Sequence, residues 1–304
     1  MNDTLYLECY AGISGDMTVA ALLDLGAEEE VLRRALDSLH LEGYSVEISR
    51  VKKSGLDACD FAVHLDAEHE NHDHDMEYLH GHEHSHAEHD HEHEHEHGHH
   101  HEHEHHDHEH EHHHDHEHHH HDHDHHHEHR GLPEILEIIR QSEMTEKAKE
   151  TAIRIFDILA DAESKAHGVP RTEVHFHEVG AIDSIVDIVA VAVCLDNLGI
   201  REVIVPVLYE GCGYIRCQHG VIPVPVPATL NIAAAHQLNL HQTDTEGEFV
   251  TPTGAAIVAA IRTSDVLPKQ YTVTRVGIGA GKRNYERPSL LRAMLIKKNC
   301  KMNA

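Results

Sequence analysis

The residues best suited to chemistry lie in the stretch VHFHEVGAIDSIVDI, which spans 174–188. We predict a strand over its first half, where His175 and His177 are two residues apart and point to the same face. We predict a helix over its second half, where Asp183 and Asp187 lie at i and i+4 on a face that is otherwise apolar. Two like charges placed in this way need a basic partner, a shared proton or a metal ion. The alternative is that Asp183 caps the helix and the histidines are packed surface residues.

A second candidate is the turn YAGISGDM, which joins a predicted strand in LYLEC to a predicted helix in TVAALLDLGA. Backbone N–H groups at Gly12, Ser14 and Gly15, together with the dipole of the following helix, form an arrangement that binds anions. Asp16 would repel a phosphate there unless a metal ion lay between them. The alternative is a helix N-cap preceded by turn glycines. The turn contains no G-K-[ST] sequence, so it is not a Walker A loop.

Three other stretches carry weaker signals. In GCGYIRCQHG, the thiolate of Cys217 and the imidazole of His219 are suitable ligands for nickel or zinc, although buried free cysteines are common. In EFVTPTGAA, Thr251 or Thr253 is placed to cap a helix and is also a candidate for binding phosphate. The stretch GIGAGKR at 277–283 matches neither glycine-rich nucleotide motif, so it is either a basic anion-binding turn or a simple turn.

The middle of the chain is a tract of imidazoles and carboxylates. Residues 69–129 contain 33 of the 41 histidines and 20 of the 54 acidic residues, with no Lys or Arg. Because such a segment has few apolar groups to offset the entropy of ordering, we predict that 67–130 is disordered without metal. Imidazole binds Ni²⁺, Cu²⁺ and Zn²⁺, so we predict a metal-binding tract. Its candidate ligands include His93, His95, His97, His103, His105, His110 and His112.

The remainder of the chain has the charge of an ordinary acidic protein. Outside the tract there are 34 acidic and 24 basic residues, so the formal charge of −30 becomes about −10. This field opposes binding to nucleic acid and to anionic membranes, and we expect neither as a partner. The chain begins without a signal-peptide pattern, its longest apolar run is too short to cross a bilayer, and its six cysteines include no C-x-x-C pair. We therefore expect a cytoplasmic protein with free thiols.

Strand and helix patterns alternate on both sides of the tract, which indicates an α/β or α+β fold with a mixed sheet and flanking helices. Further strands are predicted in YSVEISRV, ACDFAVHL, EVHFHEVG, EVIVPVL and YTVTRVGIG, the first two joined at KKSGLD as a hairpin. Further helices are predicted in EEEVLRRALDSL, LPEILEIIRQS, TEKAKETAIRIFDILADAESKAHG, DSIVDIVAVAVCLDNLG, PATLNIAAAHQL and TGAAIVAAIR. Residues 1–66 are too few to stand alone, so we predict that they form one α/β core with 131–304, interrupted by the tract at 67–130.

Four stretches together resemble LarC-type nickel-insertion proteins: LYLECYAGISGDM, HFHEVGAIDSIVDIV, HGVIPVPVPAT and TPTGAA. The resemblance runs from residue 4 to about residue 296, and a His-rich insertion after a first hairpin is typical of that family. It implies an enzyme of the lyase class, similar to a metal chelatase, that inserts Ni²⁺ into pyridinium-3,5-bisthiocarboxylic acid mononucleotide to form the nickel-pincer cofactor. It also implies CTP, with Mg²⁺ or Mn²⁺, as cosubstrate. Because relatives continue into a C-terminal domain associated with CTP binding, we expect this chain to be the N-terminal part.

The reaction implied by the resemblance assigns roles to the candidate residues. It forms a Ni–C bond at the ring carbon between two Ni–S bonds, so a proton must leave that carbon and a general base is needed. The candidate bases are His177, Glu178 and His219. The candidate metal ligands outside the tract are His175, His177, Asp183, Asp187, Cys217 and His219. The candidates for binding the substrate, its phosphate or the metal of a nucleotide are Gly12, Ser14, Gly15, Asp16, Thr251 and Thr253.

The expected partners follow from the same resemblance. They are the substrate mononucleotide, a separately encoded C-terminal part, the apo-enzyme that receives the cofactor, and further copies of this chain. The tract would act as a local nickel reservoir beside a selective site in the core. The alternative function is non-catalytic storage or delivery of nickel or zinc, for which the tract would be sufficient. The acidic pair Asp183 and Asp187 distinguishes the two functions, because a storage protein has no use for it on an apolar helix.

Overall fold

The structure is a computed structural model that describes residues 4–66, 131–174, 182–217, 220–285 and 287–298. Several of the predicted site residues therefore lie outside the described residues. They are His175, His177, Glu178 and His219, together with the tract histidines His93, His95, His97, His103, His105, His110 and His112. Their assigned roles stay predictions.

Six strands of the described residues form one mixed sheet. They are β1 (Thr4–Glu8), β2 (Tyr44–Lys53), β3 (Leu56–Leu65), β4 (Glu202–Ile204), β9 (Tyr271–Ala280) and β10 (Leu290–Lys298), in the order β2-β3-β9-β10-β1-β4. The central strand β10 is antiparallel to both β1 and β9, whereas β1 is parallel to β4 and β3 is parallel to β9. As a result β1, β3, β4 and β9 run in the same direction. The sheet combines strands that precede the His-rich tract with strands that follow it.

The other elements of the described residues are helices and two small sheets. The helices are α1 (Gly15–Asp24), α2 (Glu29–Asp37), α3 (Leu132–Gln141), α4 (Glu146–His167), α5 (Ile182–Asn197), α6 (Pro227–His236) and α7 (Pro252–Ile261). The small sheets pair β5 (Leu208–Cys212) with β8 (Leu240–Glu246), and β6 (Tyr214–Cys217) with β7 (Gly220–Pro223). Among these helices, none has the length and apolar composition needed to cross a membrane. A mixed sheet flanked by helices confirms the predicted fold class.

Most predicted elements occur at the predicted places. The hairpin of β2 and β3 turns at Ser54 and Gly55, which both have positive φ angles. Helices α4 and α5 are followed by the left-handed residues Gly168 and Gly199, as their sequences predicted. The stretch EVIVPVL, predicted as one strand, is divided into β4 and β5 around Pro206, because proline cannot donate to a strand ladder.

Two differences from the predicted elements have physical reasons. The predicted strand EVHFHEVG does not begin at Glu173, which instead closes a 3-10 turn by donating its N–H to the carbonyl of Pro170 (2.8 Å). Residues 175–180 of that stretch are outside the described residues. Strand β10 was not predicted at all. It is a central strand with apolar residues on both faces, so its sequence LLRAMLIKK lacks the alternation that identifies a half-buried strand.

The helices pack on the sheet through side chains and, at one strand, through bare backbone. Alternate residues of the sheet, including Leu5 and Leu7 of β1, are fully buried in the main core together with most of α5. Helix α1 crosses β9 at Gly277 and Gly279, where an added Cβ would come within 2.3 and 2.0 Å of helix carbonyl oxygens. Glycines in β9 are therefore required for helix α1 to lie this close to the sheet.

This close approach predicts a steric effect of Gly279→Ala. The new methyl group would meet the carbonyl oxygen of Met17 at 2.0 Å, so helix α1 must shift, and we expect a loss of about 1–3 kcal/mol in the free energy of unfolding. The measurement is chemical denaturation of the purified protein. The matched control is Gly131→Ala, whose Cβ would meet only Pro133 at 3.6 Å and should cost less than about 1 kcal/mol. Equal stability of the two variants would contradict the packing described.

Candidate functional site

The candidate site begins where the chain leaves β1 and turns into α1. Gly12 has a φ of +84°, and an added Cβ would lie 2.0 Å from the carbonyl oxygen of Phe249. The N–H of Ile13 donates to that carbonyl (2.9 Å), and the N–H of Thr251 donates to the carbonyl of Ile13 (3.2 Å). These contacts fix the Gly-rich turn against the beginning of α7.

The beginnings of three helices meet at this turn. Gly254, in the first turn of α7, lies against the backbone of Ile13 and Ser14. A Cβ added at Gly254 would lie 2.1 Å from the carbonyl oxygen of Ile13. Asp187, in the second turn of α5, lies against Gly15, and a Cβ there would be 2.5 Å from the carboxylate oxygen Oδ2. Glycine at both positions lets the three helix ends approach each other. The dipoles of these helix N-termini stabilise negative charge placed between them.

Asp16 and Asp187 form the chemical centre of this corner, which we call the acidic corner and define as Asp16, Asp183, Asp187 and Lys282. The Ser14 hydroxyl donates to the Asp16 carboxylate, and the backbone N–H of Met17 donates to it as well. Burial raises the pKa of Asp16, and these two hydrogen bonds together with the charge of Lys282 offset part of that rise.

The pKa of Asp187 is raised well above its usual range. Burial is the largest cause, followed by the negative charges of Asp16 and Asp183; Lys282 and the backbone N–H of Asp16 act in the opposite direction. The Asp187 oxygen Oδ1 is buried and has no hydrogen-bond partner among the described residues. Two carboxylates so close in a poorly hydrated place are stable when they share a proton or hold a cation.

Lys282 supplies the positive charge that acts on both carboxylates. Its Nζ is 2.7 and 2.8 Å from the two carboxylate oxygens of Asp60. It belongs to the stretch GIGAGKR, which was predicted to be a simple turn or an anion-binding turn. In the structure its first glycines lie in β9 and contact α1, and only the last residues form a turn. One lysine beside Asp60, Asp16 and Asp187 leaves an excess of negative charge.

The donor set of the acidic corner suits a particular class of cation. In the part of the chain that the structure describes, no three His, Cys, Asp or Glu side chains are arranged to hold a metal ion. Two carboxylates with one unpartnered oxygen do fit Mg²⁺, which commonly takes one or two protein carboxylates and completes its shell with water and substrate oxygens. Asp183 lies four residues before Asp187, and its own carboxylate accepts the N–H of Ser184 (2.9 Å).

The other predicted residues take up different positions. The Thr251 hydroxyl accepts the N–H of Gly254 (3.1 Å), so Thr251 is the N-cap of α7, as one alternative predicted. Thr253 lies in the first turn of α7 and is partly exposed. Cys217 is the last residue of β6, in the separate hairpin of β6 and β7. Its predicted role as a metal ligand involves His219, which lies beyond the described residues.

Glu210 in β5 is a buried carboxylate that the sequence analysis did not identify. Its Oε1 accepts the N–H groups of Gly211 (2.8 Å), Phe249 (2.7 Å) and Val250 (3.2 Å), whereas Oε2 has no partner among the described residues. Burial raises the pKa of Glu210 to about 7, the three hydrogen bonds partly offset this, and Glu248 adds to the rise. The signal in the sequence was a single Glu between strand residues in LYEGC, which no motif marks.

Glu210 supports the acidic corner indirectly. Two of the amides that it binds, those of Phe249 and Val250, belong to the segment whose carbonyl at Phe249 receives the N–H of Ile13. The same segment is held from another side by Arg283, which donates to the carboxylate (2.8 Å) and the carbonyl (3.1 Å) of Glu248. Tyr285 donates its hydroxyl to that carbonyl (2.7 Å). Polar groups buried around 248–250 thus position the turn that carries Asp16.

The raised pKa of Asp187 predicts the behaviour of Asp187→Asn. In metal-free protein at pH 7.5 the unfolding midpoint should stay unchanged or rise, because an amide removes the repulsion from Asp16 and Asp183. Mg²⁺ should stabilise the unmodified protein, by about 2.7 kcal/mol at 100 times its Kd, and should not stabilise the variant. The measurement is a thermal melt with and without Mg²⁺, a cation that imidazole binds poorly.

The matched control lies at the other end of the same helix. Asp196 accepts the hydroxyl of Thr145 (2.6 Å) and is 3.2 Å from Lys147, so Asp196→Asn should lower the midpoint and keep the Mg²⁺ effect. A large drop in midpoint for Asp187→Asn, or an unchanged response to Mg²⁺, would show that Asp187 is a structural partner rather than part of a cation site.

A second prediction concerns pH and Glu210. Its pKa is higher in the folded protein (about 7) than in the unfolded chain, so the folded state binds more protons between pH 4.5 and 7. Stability should therefore fall as pH rises through this range, by an amount on the order of 3 kcal/mol. Glu210→Gln should remove the share of this loss that Glu210 contributes, so that stability falls less between pH 5 and pH 8 than in the unmodified protein, as denaturation at the two pH values would measure. Asp16 and Asp187, whose pKa values are also raised, should keep their own shares. Glu202→Gln is the control, since Lys298 and Thr4 lower the pKa of Glu202 and the loss should persist.

Comparisons with known proteins identify the family. The family model described as nickel insertion protein matches residues 5–304. The "Pyridinium-3,5-bisthiocarboxylic acid mononucleotide nickel insertion protein" of Alkaliphilus metalliredigens is 48% identical over 299 residues, which cover 98% of this chain and 62% of that protein. Two proteins described as "Putative nickel insertion protein" are also similar. The one from Geobacter sp. (strain M21) is 39% identical, and the match covers 95% of this chain and 60% of that protein. The one from Dictyoglomus thermophilum is 32% identical, and the match covers 95% of this chain and 59% of that protein.

The chain spans about three fifths of the length of the curated relatives that it matches. No solved structure matches it. The family match extends over nearly the whole sequence, including the three stretches that form the acidic corner. The chain therefore belongs to the nickel insertion protein family.

Proposed function

We propose that this chain inserts Ni²⁺ into pyridinium-3,5-bisthiocarboxylic acid mononucleotide, the substrate named for its relative from Alkaliphilus metalliredigens. The observation that carries the proposal is the acidic corner, where Asp16 and Asp187 meet at the beginnings of three helices. A chain that only stored metal in its His-rich tract would have no need of a buried carboxylate pair in its core.

The proposed chemistry is an exchange of a proton for a metal ion. Ni²⁺ binds the two thiocarboxylate sulfurs and takes the electron pair of the ring C–H bond, so a Ni–C bond forms and the proton passes to a base. Soft sulfur ligands suit nickel better than carboxylates do, so the substrate itself supplies most of the selectivity. His177, Glu178 and His219 are the proposed bases.

The acidic corner would have a supporting role in this exchange. Asp16 and Asp187 would hold Mg²⁺, or receive Ni²⁺ before its transfer to sulfur, with Asp183 as a further carboxylate nearby. The backbone N–H of Met17 already donates to the Asp16 carboxylate, and the backbone N–H of Asp16 donates to Asp187. Both N–H groups are therefore less available for a substrate phosphate. The beginning of α7, with Thr251 and Thr253, is the better candidate for that phosphate.

The two other parts of the proposal concern nickel supply and CTP. The tract at 69–129 would concentrate nickel near the core, with Cys217 as a further ligand outside it. CTP, with Mg²⁺ or Mn²⁺, would be turned over with the help of a C-terminal part. This part corresponds to the region of the relatives that this chain does not span. The chain would then bind nickel by itself, and turnover of CTP would require that part to be added.

The test is an insertion assay with purified components. The chain, nickel and the bisthiocarboxylate mononucleotide are mixed with and without CTP and a separately produced C-terminal part, and the nickel product is detected by mass. We expect product only with the C-terminal part and CTP present, and none from Asp16→Asn or Asp187→Asn. Steady CMP release by the chain alone would contradict the division of roles proposed here.

A deletion of residues 69–129 separates insertion from storage. Because we predict that the tract supplies nickel rather than chemistry, the deletion should remove most bound nickel in a calorimetric titration. At saturating nickel it should retain most of the insertion activity. If the deletion abolished activity at every nickel concentration while the melting curve stayed normal, the tract would take part in the reaction. If the full chain bound nickel but never yielded product, storage or delivery would be its function.

A further inference from the structure

Three aromatic rings stack beside the Gly-rich turn, and the chemistry proposed above uses none of them. The ring centroids of Tyr10 and Tyr209 are 4.9 Å apart with their planes tilted by 56°, and those of Tyr209 and His241 are 4.4 Å apart with a tilt of 38°. We call Tyr10, Tyr209 and His241 the aromatic stack. Tyr10 is 48% exposed, so part of the outermost ring is available to a ligand.

The stack is positioned by main-chain pairing. Tyr209 donates its N–H to the carbonyl of Cys9 (3.0 Å), which also accepts the N–H of Gly12 (3.3 Å). In the register of β5 with β8, Tyr209 lies opposite His241. Tyr10 is the residue between Cys9 and the turn. The same backbone contacts thus hold the stack and the turn that leads to Asp16.

Core packing does not account for the stack. Tyr10, Tyr209 and His241 are all partly or largely exposed, and none of them belongs to the buried clusters of the core. The Tyr10 hydroxyl interacts with the hydroxyl of Tyr6, which fixes the tilt of the ring without covering it. Single exposed aromatic residues are common on protein surfaces, but a fixed ladder of three rings is a surface on which a planar ligand can stack.

We infer that the aromatic stack binds the pyridinium ring of the substrate, with Tyr10 as the stacking residue. This inference rests on the proposed function, in which the substrate is a pyridinium mononucleotide. The face of a tyrosine ring carries the negative part of its quadrupole and attracts an organic cation. From Tyr10 to Asp16 the backbone spans at most roughly 20 Å, and the bond from the Gly12 N–H to the Cys9 carbonyl shortens this path, so the stack and the acidic corner flank one turn and one ligand can contact both.

The test measures binding without nickel. Nicotinic acid mononucleotide, a pyridinium mononucleotide with one ring carboxylate, is titrated into the metal-free protein and followed by calorimetry and by tyrosine fluorescence. The chain has eight Tyr and no Trp, so quenching by the pyridinium ring reports on tyrosine directly. Tyr10→Leu should raise the Kd about five- to tenfold, whereas Tyr10→Phe, which keeps the ring, should stay within about twofold.

The matched control is Tyr214→Leu. Tyr214 is 68% exposed and lies in β6, so its loss should leave the Kd unchanged. Cytidine monophosphate, whose ring is uncharged, distinguishes a pyridinium site from a site for the base of CTP; we expect weak binding that does not depend on Tyr10. Melting curves verify that each variant is folded.

Three results would overturn the inference. They are an absence of binding by nicotinic acid mononucleotide, an equal Kd for Tyr10→Leu and the unmodified protein, and binding of cytidine monophosphate with the same dependence on Tyr10. Because no nickel is present, the result is independent of the insertion assay. Binding that depends on Tyr10, in a protein that yields no nickel product even when CTP and the C-terminal part are added, would leave the pyridinium site standing and refute the proposed function.

Discussion

Repulsion between the carboxylates of Asp16 and Asp187 is the interaction on which the architecture of the site depends. The two groups meet because α1 and α5 approach each other at Gly15, where no side chain stands between the helices. Burial raises both pKa values, the charge of Asp16 raises that of Asp187 further, and Lys282 lowers them only in part. A fold that keeps such a pair close must compensate for it with a proton or a cation.

Much of the surrounding structure serves to hold that pair in place. The turn before Asp16 is fixed by backbone bonds to Phe249 and Thr251 and by the fully buried side chain of Ile13. The segment around Phe249 is fixed in turn by Glu210, because its carboxylate oxygen Oε1 accepts three N–H groups. A buried carboxylate that binds only N–H groups is costly, since its charge has lost its hydration. Its presence indicates that the position of this turn matters more than stability.

The two metal-related features of the chain differ in kind. The tract offers many equivalent imidazoles, which bind several transition metals and cannot select among them. The acidic corner offers few oxygen ligands at fixed positions, which suits a cation that the substrate helps to coordinate. In the function proposed above, the reservoir and the defined site would be complementary, because a high local concentration of metal compensates for modest affinity in the site. The aromatic stack would add a surface for the organic part of a ligand.

The sequence by itself determined the fold class and most of the helices, and it identified the carboxylates proposed for the site. Periodic apolar residues and glycines such as Gly168 predict helices and their ends because these are local effects. Asp16 and Asp187 were identified separately, each from its own helix. Only the tertiary structure decided that these carboxylates share one corner, that Lys282 faces them, and that Glu210 is buried beneath the turn. Such contacts join residues that are far apart in the chain. The pKa values of the carboxylates depend on burial and on neighbouring charges, and both arise only when the helices and strands pack together.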